Sequence, residues 1–454
     1  MEDPNRFFWN PGVESLSRAE MREVQFTKLR KQLKYNYDNS IFYKRSFDAA
    51  GLRPEDVRSW DDFSHVPTMT KNDQRQAQQE SIERFGHPYG TLACAPVDKI
   101  VRINSTSGTT GVPTLYTLTK HDVAVNRELH ARKMWRTGAR PGHIMVHAFG
   151  LSMFTGGIPA VDAIQEYGCC VVPVGAESGA TRVLQYIDLC KPHSLACTPS
   201  FALNLIERCP EILGKPASQL GLKSVSCGAE PGAGIAEVAR LIEEGFGLAA
   251  GTLRDVIGGT HCFHGYTCGE GTYQGMHLVS EDYCILELLD PATGESLELK
   301  DGVVGEMCYT YIDWEGTPLL RYRLGDMLSV KTSPCSCGDH RLRFRLIGRA
   351  DDMMIVKGVN LYPAALQSVV ASFAPRTTGK LRILLKNPLP RVVPPLQIQV
   401  EYGEGMTPGA VEALGTEMKA RMRDELRVTP DIEFVPPFTF ERTSHKSQLL
   451  VKLY

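Results

Sequence analysis

The densest chemistry in this chain lies in the ten residues Ser105-Thr106-Ser107-Gly108-Thr109-Thr110-Gly111-Val112-Pro113-Thr114. Such a loop puts backbone N–H groups and hydroxyl donors on one concave surface, which suits a polyphosphate. The apolar run of Ile100, Val101 and Ile103 leads into it as a strand would. No Gly-x-x-x-x-Gly-Lys-Ser/Thr spacing passes through it, so it is not the common P-loop. A shorter fragment would read as a Ser/Thr/Gly-rich surface loop. A second concentration is thiol and imidazole. Cys335-Ser336-Cys337-Gly338 forms a Pro/Gly turn, and Cys268 and His277 stand nine apart in a Gly-rich segment. Three cysteines and one histidine make a closed structural zinc set, with reduced surface thiols as the competing reading. Cys262 and His264 are spare candidates. A third feature, Gly232-Ala233-Gly234-Ile235-Ala236-Glu237, imitates a dinucleotide fingerprint but has Glu237 in place of the third glycine.

These residues need a large scaffold. A chain of 454 residues exceeds what one core usually holds, so two or more lobes are expected. The formal net charge of −2 gives no electrostatic case for nucleic acid or an anionic membrane. No apolar run approaches a membrane span, and Met1-Glu2-Asp3-Pro4-Asn5 does not read as a signal peptide. The thirteen cysteines then read as reduced thiols and metal ligands rather than a disulfide framework, and the expected compartment is the cytoplasm.

Ser17-x-x-Glu20 predicts a capping box for a helix reaching about Tyr35. Strands are expected at 144–147, 170–172, 194–198 and 222–227, alternating with helices at 181–190 and 200–208. That alternation implies α/β layers around a largely parallel sheet. From Tyr283 to about Ile312 the pattern changes to strands joined by Gly/Asp/Pro turns, a barrel-like or antiparallel piece. After Ile347-Gly348-Arg349 a small α+β lobe follows. It has a helix near 363–373, strands at 381–386, 396–402 and 431–435, and a helix striped by Val411, Leu414, Met418, Met422 and Leu426.

The ten-residue loop resembles the phosphate loop of acyl-adenylating enzymes, the AMP-forming ligase superfamily. Its Pro113-Thr114 is similar to the phenylacetate-CoA ligase branch. Further segments match in family order over roughly residues 95–450. His147-Ala148-Phe149-Gly150-Leu151-Ser152-Met153-Phe154-Thr155-Gly156-Gly157 resembles the acyl pocket, which implies substrate contacts for Phe149, Gly150, Met153, Phe154, Gly156 and Gly157. Thr198-Pro199-Ser200 follows a strand, where a ligand-facing turn is expected in an α/β sheet. Ser226-Cys227-Gly228-Ala229-Glu230-Pro231 resembles the adenine loop, and Arg321-Tyr322-Arg323-Leu324-Gly325-Asp326 the motif whose aspartate grips the ribose. Gly348-Arg349-Ala350-Asp351 with Lys357-Gly358 resembles the junction between lobes, which implies Arg349 near the nucleotide and Asp351 as hinge. Arg442-Thr443-Ser444-His445-Lys446 resembles the C-terminal motif whose lysine meets the acyl phosphate.

One position departs from the family. Counting from Asp255, Ile257-Gly258-Gly259-Thr260-His261 stands where an aromatic-Gly-x-Thr/Ser-Glu motif is usual. The hydroxyl survives as Thr260, but His261 replaces the glutamate that would hold Mg²⁺, and imidazole is a poor ligand for that ion. A register shift onto Tyr266-Thr267-Cys268-Gly269-Glu270 would restore a glutamate but upset the spacing to Gly275-Met276-His277.

The resemblance implies a large lobe over 1–347, of layered α/β sheets with a β-barrel-like piece, and a small mobile α+β lobe over 348–454. It implies ATP, Mg²⁺ and CoA as cofactors and partners, and a small, typically aromatic, carboxylic acid as substrate. The phosphate-loop residues Ser105, Thr106, Ser107, Gly108, Thr109, Thr110 and Gly111 would hold the nucleotide. Lys446, Thr260, His261 and Arg349 would be catalytic. It also favours zinc at Cys268, His277, Cys335 and Cys337. Two alternatives stay open: an adenylating enzyme with a carrier-protein thiol or nitrogen acceptor, and a degenerate, non-catalytic nucleotide binder.

Overall fold

The computed structural model describes residues 6–105, 113–230, 232–259, 262–269, 275–440 and 449–454. Helix α1 (Arg18–Asn39) opens with the expected capping box. The Ser17 hydroxyl accepts from the Glu20 amide, and the Glu20 carboxylate accepts from the Ser17 amide at 2.8 Å. The helix runs past Tyr35 because Leu29, Leu33 and Asn36 remain buried on one face. Helix α2 (Lys71–Phe85) follows, then a hairpin of β1 (Arg102–Ser105) and β2 (Leu115–Leu118), and helix α3 (Lys120–Arg136).

Five short strands then build the parallel sheet: β3 (Ile144–His147), β4 (Cys170–Pro173), β5 (Ser194–Cys197), β6 (Ser224–Cys227) and β7 (Leu253–Gly259). Their order is β4-β3-β5-β6-β7, all pairs parallel. Helices α4 (Ile158–Tyr167), α5 (Gly179–Cys190), α6 (Pro199–Leu213) and α7 (Ala236–Phe246) make the crossovers. Helix α6 extends beyond residue 208 and carries Pro210 inside it, ending at Gly214 in the left-handed region. Phe201, Leu205, Ile242 and Phe246 bury their side chains against the sheet, each worth about 1.5–3 kcal/mol relative to exposure.

The antiparallel piece continues the same sheet. Strand β7 pairs antiparallel with β8 (Phe263–Tyr266), and the path runs on through β9 (Met276–Leu278). It ends on β10 (Cys284–Leu289), β11 (Val304–Tyr311), β12 (Tyr322–Lys331) and β13 (Arg343–Arg349), in the order β9-β13-β12-β11-β10. Helix α1 and the segments after it cover this part with Leu29, Leu33, Tyr43 and Phe47.

Beyond β13 a separate core gathers Met354, Leu366, Ile383, Ile398, Leu414, Met418 and Met422. It lies between α8 (Pro363–Ala371), α9 (Pro408–Leu426) and a sheet of β14 (Thr377–Leu385), β15 (Gln397–Tyr402), β16 (Asp431–Val435) and β17 (Leu450–Lys452). Strand β14 begins earlier than expected, and β17 was not foreseen.

Helix α3 is buried on almost every side although half of it is polar, and Arg132 ties it down. Its guanidinium holds Asp282 with Nη1 at 2.6 Å and Nη2 at 3.1 Å, and Nε donates to Glu128 at 2.9 Å. Arg132 and Asp282 side chains are 2% and 4% exposed, so removing one strands the other in a dry interior. Asp282→Ala should therefore lower unfolding free energy by about 3–5 kcal/mol. The check is a lower denaturant midpoint at unchanged slope, and a loss under about 1 kcal/mol would contradict it.

Candidate adenylation site

In an open α/β sheet, ligands gather beyond the carboxyl ends of the strands. Four expected segments emerge there. After β3 comes the segment 147–157, the one expected to form an acyl pocket. The Phe154 ring lies between Gly150 and Gly156, 3.6 and 3.5 Å from where their Cβ atoms would stand. A Cβ on Gly157 would sit 2.1 Å from the Ser152 carbonyl oxygen, so this turn closes only with glycine. Phe149 is buried, whereas Met153 is half exposed. After β5, Thr198 caps α6, and the Ser200 amide donates to the Glu230 carboxylate at 2.8 Å. A carboxylate there is favoured by the helix dipole. After β6, Gly228 lies so close to β7 that a Cβ would meet the Val256 carbonyl oxygen at 2.3 Å. Ala229 takes φ +71°, a strained value for a residue with a side chain. After the middle of β7 comes Gly258, whose Cβ position faces Thr155 and His264 at 3.4 Å.

The hydroxyl-rich loop joins this edge through its stem. The Ser105 amide donates to the Met153 carbonyl at 3.3 Å, so the loop begins against the 147–157 segment. Helix α2 grips the other stem. Gln78 accepts from the Leu115 amide at 2.7 Å and donates to the Pro113 carbonyl, and Gln74 donates to the Leu115 carbonyl. Thr106, Ser107, Gly108, Thr109, Thr110, Gly111, Pro231, Thr260, His261, Glu270 and Lys446 lie outside the described residues.

Asp326 and Arg349 are register partners across β12 and β13, with Arg349 Nη1 at 3.4 Å from the Asp326 carboxylate. Arg349 also donates to Asp351 at 2.8 Å and to the Leu324 carbonyl at 3.3 Å. Arg321 and Arg323, from the same run, are structural. Arg321 is buried against Glu287 and the Val66 carbonyl, and Arg323 pairs with Glu306. Two basic residues that the motifs missed lie in the first turns of α2: Lys71, within electrostatic reach of Asp326 and Arg349, and Arg75, within reach of Lys71 and Tyr322. The Lys71 ammonium is pushed below its usual range by partial burial, then by Arg75 and Arg349, against the pull of Asp326 and Asp351. The Arg75 Nε is buried without a hydrogen-bond partner among the described residues. Cations at a helix N-terminus oppose the dipole, and that anomaly was readable in Thr70-Lys71-Asn72-Asp73-Gln74-Arg75.

Cys268, His277, Cys335 and Cys337 come together with all four ligand atoms within 4.8 Å of one another. Cys268 Sγ lies 3.8 Å from Cys335 Sγ, and Cys337 Sγ 3.5 Å from His277 Nε2. A tetrahedron with zinc–sulfur bonds near 2.3 Å has sulfur–sulfur edges of about 3.8 Å, so the donor set fits that ion. Behind His277 stands Asp339, 3.7 Å from Nδ1, itself held by Arg341 and the Tyr266 hydroxyl. A carboxylate there suits a ligating imidazole. The spare candidates stand apart: Cys262 donates to the Tyr283 carbonyl, and His264 packs on His130. All thirteen cysteines are free thiols.

Comparison with known proteins agrees with this layout. Residues 358–453 match the family described as the AMP-binding enzyme C-terminal domain. The chain is 30% identical to the phenylacetate-coenzyme A ligase of Thermus thermophilus, over 94% of this chain and 95% of that one. It is 32% identical to the Escherichia coli phenylacetate-coenzyme A ligase, over 80% and 78%. Among solved structures it resembles 2-hydroxyisobutyryl-CoA ligase in the postadenylation state in complex with 2-HIB-AMP. The TM-score is 0.88 at 26% identity, covering 100% of this chain and 95% of that one. The chain belongs to the phenylacetate-CoA ligase family of AMP-forming acid–CoA ligases. Against the same 2-hydroxyisobutyryl-CoA ligase in complex with 2-HIB-AMP and CoA in its thioesterification state the TM-score is 0.69, at 27% identity.

Gly228, with backbone in the way, and Gly258, with room, allow a direct comparison. Gly228→Ala must push β6 and β7 backbones apart and should destabilise by about 1–3 kcal/mol. Gly258→Ala meets only side chains, at 3.4 Å, and should cost clearly less. Denaturant midpoints of the two variants check the order.

Proposed function

We propose that this protein uses ATP to activate an aromatic carboxylic acid and passes the acyl group to CoA. An acid oxygen bonds to the α-phosphorus as the bond to pyrophosphate breaks. The CoA sulfur then bonds to the acyl carbon as AMP leaves. The observation that carries this reading is the Asp326–Arg349 pair with Lys71 in electrostatic reach of both, on the helix that grips the stem of the hydroxyl-rich loop, in a chain of this family. Two anions must be aligned and their charge offset, and preorganised cations and N–H donors do both.

In this reading Asp326 accepts from the ribose hydroxyls, and Gly228, Ala229, Glu230 and Pro231 flank the adenine. Arg349, Lys71 and Arg75 face the phosphates with the loop residues 105–111. Mg²⁺, when bound, adds positive charge to the triphosphate near Thr260 and His261. Phe149, Gly150, Met153, Phe154, Gly156 and Gly157 wall the acid. Lys446 meets the reacting carboxylate when the small lobe (348–454) closes on the large one (1–347) about Asp351. Zinc, held by Cys268, His277, Cys335 and Cys337, would tie β8, β9 and the turn before β13 together without entering the reaction. The free cysteines support a cytoplasmic setting.

Acid-dependent ATP–pyrophosphate exchange, followed by product mass with CoA present, tests the activity. A product other than the CoA thioester would point to a carrier-protein or nitrogen acceptor, and exchange with no acid would overturn the reading. Asp326→Ala should mainly raise KM for ATP, by the equivalent of about 1–3 kcal/mol, with KM for the acid little changed. A damaged acid KM with ATP dependence intact would contradict the ribose role.

Metal analysis of protein purified without chelator should give about one zinc per chain. Cys335→Ser should lose it and lower the melting temperature. Metal-free protein of equal stability would remove zinc from the account.

A further inference from the structure

Beside the acyl segment lies a group of buried basic side chains that adenylation itself does not use. On α3, Asn126, His130 and Lys133 share one face at helical spacing. Lys133 is 8% exposed and His130 4%, and His147, at the end of β3, is 2% exposed. No hydrogen bond or ion pair reaches the Lys133 ammonium from the described residues. Burial alone pushes it down to about 8, so it remains mostly a cation at neutral pH. Around it the imidazoles are neutral. Burial and then Lys133 push His130 well below its usual range, and burial brings His147 to about 4.

Their ring nitrogens are incompletely used. His147 Nε2 donates to the Gly156 carbonyl at 2.8 Å, which leaves Nδ1 a lone-pair acceptor with no partner. His130 Nε2 is buried and also has none. The group is continuous with the proposed site in two directions. His147 packs on Phe149, with ring centroids 5.5 Å apart, and is bonded to Gly156. His130 packs edge-on against His264 at 4.7 Å, and His264 faces the open Cβ position of Gly258. A buried cation with no counter-charge is among the most costly things an interior can hold, and natural sites keep one where a ligand completes it.

We infer that the acid bears a second, acidic oxygen substituent (a ring hydroxyl or a second carboxylate) on the end remote from the activated carboxylate, and that Lys133 and His130 receive it. The inference rests on the acid-activating reading above and deepens it. Lys133 offers three donors and no acceptor, so an oxygen anion or oxygen lone pair is its complement, and a ring amine, itself a donor with a lone pair delocalised into the ring, is disfavoured. An unsubstituted ring would leave the Lys133 cation buried and unpaired, which sites built for a polar group reject strongly.

ATP–pyrophosphate exchange decides it, comparing benzoate and phenylacetate with their ring-hydroxylated, ring-carboxylated and ring-aminated counterparts. At least one hydroxylated or carboxylated acid should exceed its parent by tenfold or more in kcat/KM. Lys133→Met keeps the length and removes the charge. It should cut that acid by tenfold or more while leaving the parent unchanged or improved, and its melting temperature should not fall. Equal or better use of the unsubstituted or aminated acids by the unaltered enzyme would overturn the inference while leaving acid activation standing. So would an equal loss on every acid in K133M. Exchange with no acid of any kind would remove the acid-activating reading and this one with it. Should K133M fail to fold, the preference of the unaltered enzyme decides alone.

Discussion

The buried Arg132–Asp282 pair is the constraint on which the functional edge depends. Helix α3 must lie inside the protein to reach β3 and β8, yet it carries Asp122, Asn126, His130, Arg132 and Lys133 inward. A helix of that composition would prefer the surface. Arg132 spans from Glu128 to Asp282 and the Val279 carbonyl, so one guanidinium fixes the helix rotation against the segment before β10. Asp122 does the same at the other end, accepting from the Glu315 and Gly316 amides. With both ends pinned, the face bearing His130 and Lys133 has one direction to point. An ion pair of this kind is weak evidence for stability but a strong determinant of which arrangement forms.

The sheet is assembled so that chemistry and support divide along the strands. The parallel strands are four to seven residues long and end at the site. Their crossover helices carry most of the apolar burial. Strand β7 is longer and belongs to both the parallel and antiparallel parts, so Gly258 lies at their seam. The zinc-type ligands collect on the antiparallel side, beyond β8, on β9 and before β13. Cys335 and Cys337 lie between Asp326 and Arg349 in the chain, but at the opposite end of the β12–β13 pairing, beyond Lys331 and Arg343.

Local signals were legible where local physics dominates. Ser17 and Glu20 specify the start of α1, and the stripe from Val411 to Leu426 specifies α9. The Cys268, His277, Cys335 and Cys337 set could be assembled because the four fall at short spacings in Gly-rich stretches of the chain. The remainder depends on contacts distant in the chain. Strand β14 begins at Thr377, ahead of the apolar run, because a register shift between Thr377 and Leu381 absorbs Gly379 and Lys380. Strand β17 is three residues long and forms only by parallel pairing with β14. Lys71 and Arg75 look like solvated helix residues until α2 is packed against β12. Lys133 reads as an ordinary helix cation, since nothing in its neighbours' identities announces that α3 is enclosed.

The single hydrogen bond from the Ser105 amide to the Met153 carbonyl has a thermodynamic consequence. It joins the first residue of the hydroxyl-rich loop to the turn between Ser152 and Gly157, which closes only around glycine. Two neighbouring segments that share a bond cannot be ordered independently. A ligand that fixes one lowers the entropy still to be lost by the other, and the same factor must act in both directions. Ordering at Ser105 and ordering of the 152–157 turn are thereby coupled, and what steadies one end of the bond steadies the other.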